Sequence, residues 1–323
     1  MTGPLAIVRS AGLATVQDLG WPTGRAIGLP PGGAMDPVAL QVGNALVGND
    51  PGDAGIEVTL GDLVVEFGGD GWFALTGAAG PSSLDGASVQ AGQAVPMSAG
   101  GRLLIGRPAG GRFGYLTVGG GVAVEPTLGS RSTYLPTGLG GLHGRRLTTG
   151  DRLPIGPTRL ASPIPSPGPG DGSAVEPAEV APTSRPIRIT TGPQGHLFPP
   201  ASFEQLASDG YRVTPASDRM GTRLAGPPLT IRGRASLPSE ATCLGAIQVP
   251  DDGQPIVVLR DGPTVGGYPK IGVVSGADLA RFCQTPLGAE VRFAWVSIAE
   301  ATQAARRSRA EMTRVLNDLR ANR

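Results

Sequence analysis

The chain has 323 residues, a formal charge of +1 and only 4% aromatic side chains, which excludes both the basic footprint and the stacking surface of a nucleic-acid binder. No run approaches the ~18 apolar residues of a membrane span, and Met1 to Trp21 has no basic segment followed by a continuous apolar stretch, so a cytoplasmic protein is expected. Gly (52) and Pro (32) make up about a quarter of the residues, but the hydrophobic 40% falls in patterned runs, which argues for short strands joined by tight turns rather than disorder.

In chain order, the first polar loops are Val16-Gln17-Asp18-Leu19-Gly20 and Gly32-Gly33-Ala34-Met35-Asp36. Asp36 is placed to cap a helix that Pro37 opens and Gly48 ends, with Val38, Val42, Ala45 and Leu46 on one face. Short apolar or alternating runs follow at Leu63 to Phe67, Phe73 to Thr76, Arg102 to Ile105 and Tyr115 to Val118, each bounded by Gly, Pro or Asp. Gly129-Ser130-Arg131-Ser132 sets a guanidinium beside hydroxyls, a clamp for carboxylate or phosphate, with a structural ion pair as the plainer reading.

Residues 161–186 carry seven prolines and no aromatic, the composition of a semi-rigid tether. The expected layout is therefore a first domain over 1–160, a linker over 161–186, a second domain over 187–298 and an amphipathic helix over 299–323. Runs at Ile187 to Thr190, Tyr211 to Thr214, Ile256 to Leu259, Ile271 to Val274 and Val291 to Val296 read as strands. Strands without long helices between them favour antiparallel barrels or sandwiches over a parallel sheet. Ser202 to Gln205 and Ser297 to Glu300 have capping-box spacing, and the second opens a helix with Met312, Val315, Leu316 and Leu319 on one stripe. The many arginines of that helix read as a solvated face rather than as a dock for an acidic partner.

Lys270 is the only lysine among 27 basic residues. A lysine ammonium is a compact charge that responds to burial, whereas guanidinium is a fixed fork. In Gly266-Gly267-Tyr268-Pro269-Lys270 it follows two glycines that permit close backbone approach to a ligand, although a surface lysine after a hairpin has the same pattern. Ser217-Asp218-Arg219-Met220-Gly221 is either an internal Asp-Arg turn or a polar wall. Glu240 and Gln248 flank an expected strand, where a buried carboxylate would be a candidate acid or base and solvent-facing positions are the bland alternative. Cys243 and Cys283, in no CxxC and beside no histidine, read as buried thiols. With His143 and His196 the only histidines, no metal site is expected, and no GxxxxGK[ST], HExxH or GxSxG occurs.

Taken together, VQDLG at 16–20, GGAMD at 32–36, LVGN at 46–49, LGSRSTY at 128–134, SDRMGTRL at 217–224, GAIQVPDDGQPIVVL at 245–259 and GGYPK at 266–270 resemble the KipA family. It is also called the biotin-dependent carboxyltransferase family, allophanate hydrolase subunit 2 or the C-type subunit of 5-oxoprolinase. The resemblance spans about residues 5–298 apart from the linker.

It implies a mainly β chain of two cyclophilin-like β barrels with a few short helices and a C-terminal helix. It also implies a hydrolase active only in complex, an ATP-dependent 5-oxoprolinase converting 5-oxo-L-proline to L-glutamate, with ATP as co-substrate of the complex. The implied partners are a KipI-like subunit (the B-type subunit of 5-oxoprolinase, or allophanate hydrolase subunit 1) and a LamB/YcsF-like subunit. Two alternatives stand: a carboxyltransferase component that uses biotin and acts on urea or a related amide, and a KipA-type regulator that antagonises a kinase inhibitor. The matching candidates for catalysis are Lys270, Glu240, Arg131 and Asp18, and those for substrate binding are Gln17, Asp36, Arg219, Gln248 and Tyr268. Two positions depart from the family pattern: Trp21 stands where Arg is usual and Gly32 where Ser is common.

Overall fold

The computed structural model describes residues 3–159, 185–233 and 236–321, so most of the expected linker lies outside the described residues. The chain forms two compact units, Met1–Pro22 with Gly32–Val180 and Glu311–Arg323, and Thr23–Pro31 with Ala181–Ala310. The described residues include four α-helices: α1 (Pro37–Leu46), α2 (Pro200–Ser208), α3 (Leu279–Cys283) and α4 (Ile298–Ala321). Strands make up most of the remaining regular structure, and the mainly β expectation holds. Among the described residues no helix is long and apolar enough to cross a membrane.

In the first unit the strands are β1 (Leu5–Ser10), β2 (Leu13–Gln17), β3 (Gly55–Thr59), β4 (Leu63–Glu66), β5 (Gly71–Gly77) and β6 (Ser82–Leu84). They continue with β7 (Ala87–Val89), β8 (Ala94–Met97), β9 (Arg102–Ile105), β10 (Gly114–Val118) and β11 (Arg152–Leu153). Two sheets result, ordered β11-β1-β4-β9-β6-β7 and β2-β3-β10-β5-β8. Leu5, Ile7, Leu63, Val65 and Leu103 of the first sheet share one core with Val16, Ile56, Val58, Phe73 and Leu116 of the second.

β4 alternates buried and half-buried residues, the period of a sheet with one covered face. β3 and β10 are buried at every position because α1 packs on the outer side of their sheet. There Val42, Ala45 and Leu46 meet Ala74, and Leu316 and Leu319 of α4 close over them. Local chemistry sets α1 in place. Asp36 accepts a hydrogen bond from the Ala39 amide at 3.1 Å, and Pro37 occupies the first helical turn.

In the second unit the strands are β12 (Ile187–Thr191), β13 (Tyr211–Val213), β14 (Gly221–Ala225), β15 (Glu240–Ala241) and β16 (Ala246–Gln248). After these come β17 (Ile256–Val258), β18 (Val265–Gly266), β19 (Lys270–Val274), β20 (Glu290–Val291) and β21 (Phe293–Trp295). Eight of them form one sheet in the order β20-β13-β14-β17-β16-β19-β12-β21. Its first and last strands are separated only by Arg292, so the two edges must come round to meet and the sheet is a nearly closed barrel. Tyr211, Phe282 and Phe293 fill its interior, with ring centroids 6.5 and 6.3 Å apart.

The Ser297 capping box forms as expected, with Ser297 N donating to Glu300 Oε2 at 2.8 Å and Glu300 N donating to Ser297 Oγ at 3.2 Å. The box expected at Ser202 does not. Ser202 lies inside α2, which starts at Pro200, and its buried hydroxyl is exchanged with the backbone of Thr230 at 2.9 and 3.1 Å. Cys283 is buried, whereas Cys243 is exposed, which corrects the expectation of two buried thiols.

Candidate functional site

In the first unit the QDLG and SRS motifs, more than a hundred residues apart, are tied together by one carboxylate. Asp18 Oδ1 accepts from Gly20 N at 2.7 Å, Ser130 Oγ at 2.6 Å and Ser132 Oγ at 2.5 Å, and Oδ2 accepts from Arg131 N at 2.6 Å. Four donors use the acceptor capacity of a carboxylate, so the geometry makes Asp18 the organiser of the loop. Gln17 at the end of β2 is fully buried. Its amide donates to Thr15 Oγ1 at 3.0 Å and to Thr133 O at 3.1 Å, while Oε1 has no partner among the described residues.

Arg131 is half-buried and anchored through Nε to Val124 O at 2.8 Å, which leaves its terminal nitrogens as the polar groups this loop offers a ligand. Asp36 is buried above a polar chain. Its amide donates to Tyr115 Oη at 2.8 Å, which donates to Glu57 Oε2 at 2.7 Å, and Met35 N donates to the same oxygen at 2.8 Å. Burial and the Glu57 charge push the Tyr115 phenol well above its ordinary value. These contacts give Asp36 a helix-capping task.

The two departures from the family pattern in this unit explain each other. Trp21 is buried, its indole N–H donates to Thr127 O at 2.8 Å, and its ring lies against Gly32. A Cβ at Gly32 would come within 2.7 Å of that ring.

The second unit holds a tighter polar cluster. Lys270 opens β19 opposite Gln248 at the end of β16, where the register shifts between Ile247 and Gln248. Its ammonium donates to Glu240 Oε1. The two side chains differ sharply in exposure, 3% for Lys270 and 44% for Glu240. The pair therefore presents a carboxylate outward with its counter-charge buried behind it. The Lys270 hydrogen bond, with the charge that comes with it and a second bond from Gln194, holds the Glu240 carboxyl below its ordinary value.

Sequence reasoning missed Gln194. Its amide donates to Glu240 Oε1 at 2.5 Å and accepts from the Lys270 backbone N at 3.1 Å, bridging the pair from the turn after β12. The signal that could have found it was Gly192-Pro193-Gln194-Gly195, another polar residue framed by Gly and Pro.

The two glycines of GGYPK do permit close approach, but of protein groups. A Cβ on Gly266 would meet Gln248 Nε2 at 2.7 Å, and one on Gly267 would meet Leu237 O at 2.8 Å. Gln248 is thus held beside the cluster, while Tyr268 projects exposed from the same loop. Arg219 stands apart. It is buried and forks onto buried Asp261, Nε to Oδ2 at 2.7 Å and Nη2 to Oδ1 at 3.0 Å, an internal ion pair.

A family model described as the carboxyltransferase domain, subdomain A and B, matches residues 27–295. The chain belongs to this family. The carboxyltransferase domain here is similar to the C-type subunit of 5-oxoprolinase from Escherichia coli (strain K12), 41% identical over 300 residues that cover 93% of this chain and 94% of that protein. It is also similar to the C-type subunit of 5-oxoprolinase from Haemophilus influenzae, 35% identical over 295 residues covering 91% and 92% of the two chains. Among solved structures, the K. lactis urea amidolyase superposes with a TM-score of 0.87 and 27% identity over 97% of this chain. This carboxyltransferase domain spans only 20% of that longer protein.

Proposed function

We propose that the chain is the C-type subunit of an ATP-dependent 5-oxoprolinase that opens 5-oxo-L-proline to L-glutamate together with KipI-like and LamB/YcsF-like subunits. The observation that carries this reading is the 41% identity to a protein named for that role, sustained over 94% of its length. Ring opening adds water to the lactam carbonyl, breaks the C–N bond and returns a proton to the nitrogen. It therefore needs a group to move a proton and a charge to stabilise a developing oxyanion. Glu240 is accessible and anionic, which suits the first task, and Gln194 fixes its orientation. Lys270 suits the second once the substrate draws it from Glu240, and in the first unit Arg131 separately offers a fork for a carboxylate. ATP is a co-substrate of the assembled complex, and no residue of this chain is assigned to it.

The likeness to urea amidolyase favours one further reading, transfer of a carboxyl group from carboxybiotin to urea, which requires a biotin carboxylase and a biotin carrier on other domains or chains. Co-purification with the two partner subunits and an assay of glutamate release from 5-oxoproline separates the two. ATP-dependent release is expected. An assembled complex that releases no glutamate but carboxylates urea in a biotin-dependent way would replace the first reading with the second.

A further inference from the structure

Away from the Lys270 cluster, the second unit contains a cavity of about 480 Å³ between the start of β12 and the face of α4. Arg185, Arg188 and Arg307 line it against a single carboxylate, Glu300, with Gln303 and Ser308 adding polar groups. One wall is an unbalanced ionic cluster. The buried Asp278 carboxylate accepts from Arg188 Nε at 2.9 Å and Nη2 at 2.6 Å, and it also faces Arg281 at 3.4 Å and Arg185 at 3.8 Å. Three guanidinium groups thus share one negative charge.

Holding β12 to α3 explains Arg188 and Arg281. It does not explain Arg307, which projects from α4 with no ion pair among the described residues. No ion pair among the described residues joins it to Glu300, whose Oε2 accepts from the amide and hydroxyl of Ser297. A concave space lined by three guanidinium groups against one carboxylate is suited to oxyanions, which arginine grips through paired N–H groups. Its volume falls within the ~300–1,000 Å³ of small-molecule sites.

We propose that this cavity binds a small metabolite bearing two or more carboxylate or phosphate groups. None of its lining residues belongs to the Lys270, Glu240 and Gln194 cluster, so the site stands whichever reaction the chain serves.

Calorimetric titration of the purified full-length chain with inorganic phosphate and, separately, with malonate tests it and distinguishes the two sources of charge. Saturable binding of at least one probe is expected, weakening as salt is raised. Arg307→Gln, which leaves the Asp278 cluster intact, is expected to weaken it about tenfold, the scale of one lost charge-assisted hydrogen bond. Arg320→Gln, on the last turn of the same helix, is expected to leave it unchanged. Absence of saturable binding by both probes, equal weakening by the two variants, no effect of Arg307→Gln, or binding of an acidic decapeptide alone would each overturn the proposal.

Discussion

The ring of Trp21 occupies the space that a side chain at Gly32 would fill, with a Cβ there 2.7 Å from the indole. Gly32 also has φ of +56°, where non-glycine residues are strained. Restoring the common family residue by Gly32→Ser is therefore expected to destabilise the first unit by about 2–4 kcal/mol, combining strain with overpacking. Trp21→Ala should relieve much of the overpacking share, giving a coupling above ~1 kcal/mol in a double-mutant cycle read by urea unfolding. Additive effects would show that the two positions do not constrain each other.

For Lys270 and Glu240, the asymmetry in exposure predicts distinct consequences for the two partners. Lys270→Met is expected to lower activity of the assembled complex by about a hundredfold or more, the scale of losing one stabilising group at a developing charge. It should also let the Glu240 carboxyl titrate at higher pH, because the hydrogen bond that lowers its pKa is gone. With that pKa depressed, the pair's contribution is present above the ordinary carboxylate range and fades as pH falls through the folded-state value. Carbon NMR of the Glu240 carboxyl reads the shift without any partner subunit. An unchanged titration in Lys270→Met would break the link between the two groups.

Arg219 and Asp261 are both buried, so the pair makes a stability prediction. Arg219→Ala removes the forked guanidinium partner of buried Asp261 and is expected to cost about 3–5 kcal/mol in urea unfolding of the second unit. An unaltered unfolding midpoint together with lost 5-oxoproline binding would instead make Arg219 a substrate ligand.

Just before β11 in the first unit, Arg145 grips Asp151 through both oxygens at 2.7 and 2.8 Å. That bond holds the Asp151 carboxyl at a pKa of about 2. Since its folded value lies below that of the unfolded chain, the stabilisation is complete above about pH 4 and is lost as pH falls toward 2. Asp151→Asn should flatten the acid limb of the stability curve in that window. An acid limb that is the same in both proteins would assign the loss to other carboxylates.

Features governed by neighbouring residues were legible in the sequence. Asp36, Pro37 and Gly48 mark α1 because capping and φ restriction act within a few residues. The Ser297 box and the Leu316 and Leu319 stripe follow the same logic. Ser202 misled because its hydroxyl found Thr230 across the fold instead of its own helix end. Lys270 and Glu240 each stood out, but their pairing depends on the alignment of β15 with β18 and of β16 with β19, which no local pattern states. Asp261 was invisible as the partner of Arg219 for a similar reason, since the antiparallel pairing of β14 and β17 brings them together. Closure of the barrel turns on the single residue between β20 and β21, a feature that reads in sequence as one long strand.

The covering of α1 by Leu316 and Leu319 has a consequence for synthesis. The outer layer of the first unit is completed by residues translated only after the whole second unit has been made. On the ribosome, Val42, Ala45 and Leu46 stay without that cover while some 260 further residues emerge, a length read from the numbering of Leu46 and Met312. A stalled or clipped chain ending before α4 would thus carry an uncovered apolar stripe, the kind of surface that promotes aggregation.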